Sequence, residues 1–269
     1  MNLAVNINAD IGESFGHYAV GDDENLMKVI KSANVACGMH AGTTIMRRTV
    51  EIAKANGVSI GAHPGFNDIW GFGRREMQMR SRDVENLVAY QIAALIGIAG
   101  MVGVPVTHVK PHGALHNMAS RDAGLAQAVV RGIKAINPNL VLVCLTNLEL
   151  ERAGLEADIP VAREAYVDRT YEDDGSLTSR MRDDALIRDP DVAAAQVVRM
   201  VRENTIIARS GKHIRCDVHT LCVHGDEPTA LEVARAARAA LEREGARIVT
   251  LPELEISGST HAGQVPAMG

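Results

Sequence analysis

The sequence sets Asp10, His40, His63, Lys110, His112 and His224 within or beside glycine-bearing turns: GESFG at 12–16, CGMHAG at 37–42, HPG at 63–65, KPHG at 110–113 and HGD at 224–226. A carboxylate, an ammonium and several imidazoles held together can shuttle protons and stabilise an oxyanion, which is hydrolytic chemistry. Glu13 and Asp226 add carboxylates from the first and last of these turns. Glycine lets a backbone approach a ligand, although ordinary turn chemistry accounts for any one of the turns taken singly. Arg74 and Arg75 follow the glycines of GFGRR at 71–75 and have the fork geometry to hold a carboxylate or a phosphoryl group.

Asp10, His40, His63, His112 and His224 are also able to supply a three-ligand hydrolytic metal site, with Asp10, His63 and His112 the first candidates. No HExxH or CxxC spacing supports one, so the need for a divalent metal stays open. A GxxxxGK[ST] loop, a GxGxxG between strand and helix, and a GxSxG elbow are all missing. Neither a self-contained nucleotide site nor a serine nucleophile is therefore readable.

Strand periodicity says which of these groups can meet. In the first apolar run Val5, Ile7 and Ala9 alternate with Asn6, Asn8 and Asp10, and a period of two places the sets on opposite faces. In a closed sheet the apolar set meets surrounding helices and the polar set faces inward. The same parity groups Asn34, Ala36, Gly38 and, if that strand extends, His40; Ser59, Gly61 and His63; His108, Lys110 and His112; Glu164, Tyr166 and Asp168; and Thr220, Cys222 and His224. One histidine at a strand end is more often a satisfied core residue than a catalyst. Burying Asp10, Lys110 and several imidazoles unpaired would cost several kcal/mol each, so a solvated pocket explains the coincidence more simply. Asn8, Arg74, Arg75, Glu164 and Asp226 are the candidates for holding substrate.

The positioning elements alternate along the chain. Strands are predicted near 3–10, 33–38, 59–63, 106–111, 140–145, 161–168 and 218–224, with an eighth at 247–251. Between them, Val84, Leu87, Val88, Ile92, Leu95, Ile96 and Ala99 form one apolar stripe at helical spacing. Further helices are predicted at 24–32, 43–56, 120–136, 191–204 and 227–245, the last opened by Asp226 and Pro228. That rhythm predicts a single TIM-like (β/α) barrel of seven or eight strands over residues 1–254, and the Gly- and Ser-rich stretch 255–269 is expected to fray.

Composition excludes other classes. At 269 residues, 46% hydrophobic and 23% charged, the chain reads as globular. A net charge of −5 and 3% aromatics argue against nucleic acid. The apolar stretch at 92–102 is broken by Gly97 and Gly100, so no membrane span is expected. Four cysteines without a CxxC and an N-terminus without signal-peptide features predict a reducing cytoplasm.

The motifs NADIGESFG at 8–16, ANVACGMHAG at 33–42, GAHPGFND at 61–68, GFGRREM at 71–77, HVKPHGALHN at 108–117 and CVHGDEP at 222–228 together resemble the LamB/YcsF family, the family of 5-oxoprolinase A subunits. EAYVDRTYEDDGSL at 164–177, followed by Arg180, fits the same pattern, while His116 and Asp184 depart from it beside the expected pocket. The resemblance implies a seven-stranded barrel similar to carbohydrate deacetylases and the ATP-coupled opening of 5-oxoproline to L-glutamate. It also implies partner subunits B and C, with ATP used with or by them; a homo-oligomer is not excluded. On that reading Asp10, with His63 or His112, deprotonates water. Lys110 and a neighbouring histidine stabilise the oxyanion and protonate the leaving nitrogen. Glu13, His40 and His224 complete the catalytic set. The rival readings are a metal-dependent deacetylase or amidase acting alone, and a ligand-binding subunit without catalysis.

Overall fold

Alternating apolar and polar residues produce strands buried on both faces. In the computed structural model, which describes residues 4–225 and 229–256, Val5, Ile7 and Ala9 are fully buried and so are Asn6 and Asn8. The elements run β1 (Ala4–Ile11), α1 (Asp23–Leu26), β2 (Ser32–Ala36), α2 (Thr43–Ala55), β3 (Ser59–His63), α3 (Ser81–Val102), β4 (Val106–Val109), α4 (Gly113–Ala119) and α5 (Ala123–Ile136). They continue with β5 (Val141–Leu145), α6 (Glu149–Glu156), β6 (Val161–Tyr166), α7 (Pro190–Glu203), β7 (Thr205–Ile207), β8 (His213–Arg215), β9 (Thr220–Val223), α8 (Ala230–Arg243) and β10 (Arg247–Ile248). Strands β1 to β6 pair in order, all parallel, and β9 pairs with both β6 and β1, which closes a seven-stranded TIM-like α/β barrel.

The eighth strand differs from expectation. β10 is two residues long and pairs with the start of β1, Ala4 with Arg247 and Val5 with Ile248, outside the closed ring. Beyond it the chain turns beneath the barrel, where Val249, Leu251, Leu254 and Ile256 pack on Val141, Val143 and Ala162. The expected frayed stretch therefore has a buried residue, Ile256, directly after exposed Glu255, and residues 257–269 lie outside those described. The antiparallel β7–β8 pair and helices α4 and α6 have no counterpart in the sequence prediction.

Helix ends follow their capping residues. Asp122 accepts from Leu125 N at the start of α5, and Asp189 accepts from Asp191 N and Val192 N ahead of Pro190 in α7. Only Ala230–Arg243 of the predicted 227–245 helix falls within a described helix, and Asp226 and Pro228 lie outside the described residues. Among the described residues α3 is long and apolar enough to cross a membrane by those two measures, contrary to the sequence expectation that no stretch qualifies. Its stripe of Val84, Val88, Ile92, Leu95 and Ala99 is buried, and Gln91 on the same face holds the backbone of Gly65 at both N and O. α3 is thus tied to the loop after β3.

A layer of polar pairs fills the barrel between floor and mouth. Asn6 donates to Ser32 Oγ and to Val249 O, Asn8 donates to Thr220 Oγ1 and Glu164 Oε1, and Asn34 donates to Asn8 and Asp10. Each buried amide thereby finds partners in neighbouring strands. Gly61 makes room for this layer, since a Cβ there would lie 2.1 Å from the ring of His108.

Candidate active site

Successive strands deliver their functional groups to one mouth of the barrel. Glu13 follows β1, His40 follows β2, His63 ends β3, and Lys110 and His112 follow β4. On the opposite wall β6 supplies Glu164 and Tyr166, with Asp168 just beyond it, and β9 supplies Cys222, with His224 just beyond. This is the C-terminal face, where barrel loops carry active sites.

Asp10 joins the two walls. Its Oδ1 lies 3.1 Å from Lys110 Nζ and its Oδ2 lies 3.3 Å from His63 Nε2. Burial would raise the Asp10 carboxyl, but His63 and then Lys110 outweigh it and hold the group well below the usual carboxylate range. Lys110 is 1% exposed; burial would lower its ammonium, yet Asp10, Cys222 and Glu164 keep it well above its ordinary value. Its Nζ donates to Cys222 Sγ at 2.9 Å, meets Glu164 Oε1 at 3.0 Å and lies 5.0 Å from the Tyr166 ring centroid. Burial raises the Cys222 thiol and the Tyr166 phenol far above their ordinary values, so both stay protonated around this ammonium.

The β1–β4 wall is a cluster of imidazoles around one carboxylate. His63 Nδ1 is 2.6 Å from Lys110 O, and because a carbonyl only accepts, Nδ1 carries the hydrogen and Nε2 turns to the cluster. His112 Nε2 donates in the same way to Phe72 O at 2.7 Å, leaving Nδ1 3.0 Å from both His63 Nε2 and Glu13 Oε1. Phe72 presents that carbonyl from a left-handed backbone, φ 56. His40 stacks on His112 with centroids 3.8 Å apart, and its Nε2 lies 3.2 Å from Glu13 Oε1. Burial, with His112 adding to it, pushes His40 down to about 3, so this imidazole is neutral; burial would lower His63 as well, but Asp10 outweighs it and raises that ring. Glu13 is held low against its burial by His112 and His40. These four side chains could hold a metal ion, since their donor atoms all lie within 4.8 Å of one another.

His224 closes the opposite wall. Its Nδ1 lies 3.0 Å from both oxygens of Asp168, which also accepts from its backbone N at 3.3 Å, and its ring stacks on Tyr166.

Asp10, Glu13, His40, His63, Lys110, His112 and His224 thus meet at one mouth, as strand parity anticipates for the strand residues. Asn8 and Glu164 lie one layer deeper, fully buried and bonded to each other. Arg75 is drawn away to Asp68, and Arg74 lies over the Phe72 ring at the rim. Asp226 falls outside the described residues. The candidate metal set changes: Glu13 joins His40, His63 and His112, and Asp10 stands beside them facing Lys110. Of the two departures, His116 is buried with Nε2 unpartnered and is pushed down to about 3 by burial, whereas Asp184 is exposed and binds Arg209 and Arg182 instead of facing the pocket. Asp168, Tyr166 and Cys222 are marked in the sequence by inward parity and by the quoted motifs without an assigned role, Phe72 only as part of GFGRR, and Gln91 not at all.

The family described as LamB/YcsF matches residues 5–256. The chain belongs to the LamB/YcsF family. It is 48% identical over 249 residues to a 5-oxoprolinase A subunit of Rhodopseudomonas palustris (strain BisB5), covering 92% of this chain and 98% of that one. A 5-oxoprolinase A subunit of Halalkalibacterium halodurans is 45% identical over 250 residues, covering 93% and 97%. Among solved structures, a lactam utilization protein from Thermus thermophilus superposes with a TM-score of 0.88 at 42% identity, over 92% of this chain and 100% of that one. A deacetylase bound to its substrate shares the fold alone, with a TM-score of 0.50 at 12% identity over 93% and 89%.

Proposed function

We propose that this chain is the lactam-handling A subunit of an ATP-dependent 5-oxoprolinase, opening 5-oxoproline to L-glutamate together with subunits B and C. The observation that carries the reading is Lys110, an ammonium buried among Asp10, Glu164 and Cys222 at the barrel mouth. It does so in a chain 48% identical over 92% of its length to a relative bearing that name. A five-membered lactam is a resonance-stabilised amide, so its carbonyl must be polarised and its nitrogen protonated before the ring opens.

Lys110 supplies positive charge for the developing oxyanion. Asp10, pinned between Lys110 and His63 and held at low pKa, is a poor base and serves to keep both side chains in place. His224, oriented through Nδ1 by Asp168, presents its other nitrogen as the acid for the leaving nitrogen. We assign the activation of water to the Glu13 and histidine wall, and a carboxylate or phosphoryl group at the rim to Arg74. ATP contact falls to the partner subunits, in keeping with the lack of a P-loop. Four buried thiols fit a reducing cytoplasm.

The test is ATP-dependent glutamate formation from 5-oxoproline with subunits B and C present. Lys110→Met, confirmed folded by circular dichroism, is expected to lower kcat by roughly 100-fold or more. Undiminished turnover by this variant refutes the assignment. The Glu13 and histidine wall favours a second reading, a metal-dependent amidase acting alone. Chelator-sensitive hydrolysis without ATP or partners would select it.

A further inference from the structure

We infer that Glu13, His40, His63 and His112 bind one divalent transition-metal ion, of the kind that prefers imidazole with a single carboxylate, such as zinc. Glu13 Oε1 and both ring nitrogens of His40 have no partner of hydrogen-bonding geometry, although Glu13 is 6% exposed and His40 not at all. Such groups are costly to bury unless something occupies the space between them. The rings of His63 and His112 are each fixed from behind, by N–H donation to the carbonyls of Lys110 and Phe72. Metal-bound histidines are oriented by this same kind of backbone contact.

The separations also fit. Glu13 Oε1 lies 3.0, 3.2 and 3.7 Å from nitrogens of His112, His40 and His63, and the facing nitrogens of His63 and His112 are 3.0 Å apart. A tetrahedron with ligands at about 2.0–2.1 Å has edges of about 3.3–3.4 Å, so these contacts bracket its edges. A proton satisfies one such contact at a time; a central cation satisfies all of them together. Three imidazoles and one carboxylate favour zinc, cobalt, iron, nickel or copper over magnesium or calcium, which take oxygen donors.

Glycines shape the cradle. Gly73, at φ +65, faces His112, where a Cβ would stand 2.8 Å from the ring, and a Cβ on Gly65 would press on both His40 and His112 at 3.3 and 3.2 Å. Asp10 lies outside the ligand set, 3.3 Å from His63 Nε2 and engaged by Lys110. This assignment does not rest on the lactam reading, because binding is measured without turnover.

The full chain is stripped with chelator, confirmed folded by circular dichroism, then titrated with Zn²⁺ and, separately, with Co²⁺. Elemental analysis after desalting is expected to give one zinc per chain, and cobalt to give the intense visible bands of a tetrahedral site. Glu13→Gln and His112→Ala are expected to weaken zinc binding by roughly 100-fold or more, while Asp10→Asn keeps one zinc per chain. A folded wild-type chain that retains no zinc and gives only the weak spectrum of hydrated cobalt overturns the proposal, whether or not any variant folds. So does a ligand variant that binds like the wild type, or an Asp10→Asn chain that loses as much zinc as Glu13→Gln.

Discussion

Asp168 accepts from the backbone N of His224 and from its ring Nδ1, at 3.3 and 3.0 Å, in a site only 4% exposed. Burial would raise this carboxyl, but His224 outweighs it through charge and hydrogen bonds and lowers the group below 3.8. A carboxyl lowered by folding contributes stability that is fully present above its unfolded value of about 3.9 and is lost as pH falls through the folded value. Asp168→Asn should therefore cost about 1–3 kcal/mol at pH 7. The gap to wild type should narrow below about pH 4. Urea unfolding at neutral and acidic pH measures the gap, and one independent of pH removes the ionised carboxylate from this account. The same variant leaves the His224 ring less firmly directed, so a fall in kcat larger than any change in KM should accompany it in the glutamate assay.

Helix α3 reaches the mouth through one polar side chain, Gln91, which caps Gly65 at both N and O beside His63. Gln91→Leu fits the surrounding stripe in size but leaves two buried backbone groups unpaired, at about 1–3 kcal/mol each, and should loosen the loop carrying His63. Gly97→Ala on the same helix has open space at its Cβ and should be neutral or stabilising by about 0.5–1 kcal/mol. Thermal unfolding of the two variants should move in opposite directions or differ by several degrees; equal shifts would show that Gln91 is not a tie. Elements of this length were legible because an apolar stripe of three turns, or a strand alternating over six residues, repeats its period often enough to be read. β10, β7 and β8 span two or three residues and repeat no period. The site was legible where a strand carries the residue, as for Asp10, His63 and Glu164. Glu13 and His40 lie past the ends of β1 and β2, after Gly12 at φ +76 and Gly38 at φ +93. Left-handed turns there end the strand's alternation, so parity does not reach Glu13 and reaches His40 only if β2 is extended, although the loops bring both beside His63 and His112.

Taken whole, the barrel is graded along its axis, from an apolar floor through a middle layer of asparagine, serine and threonine to an ionisable mouth. The floor is made by residues far apart in sequence: Val249, Leu251, Leu254 and Ile256 close the end of the barrel against Val141, Val143 and Ala162. Asn6 and Ser32 fasten this closing segment through Val249 O and Leu251 N. A middle layer bonded to both ends lets the floor stabilise the molecule without touching the chemistry. Leu251→Ala, at a side chain 1% exposed, should cost about 2–5 kcal/mol by lost burial and the cavity left behind. Zinc affinity and kcat of the folded variant should stay within about twofold of wild type, because sites without shared partners contribute independently. Urea unfolding alongside a zinc titration reads both. A Leu251→Ala chain that unfolds like the wild type would show that the floor is not part of the core, and one that loses zinc in proportion to its stability would show floor and mouth to be a single coupled unit.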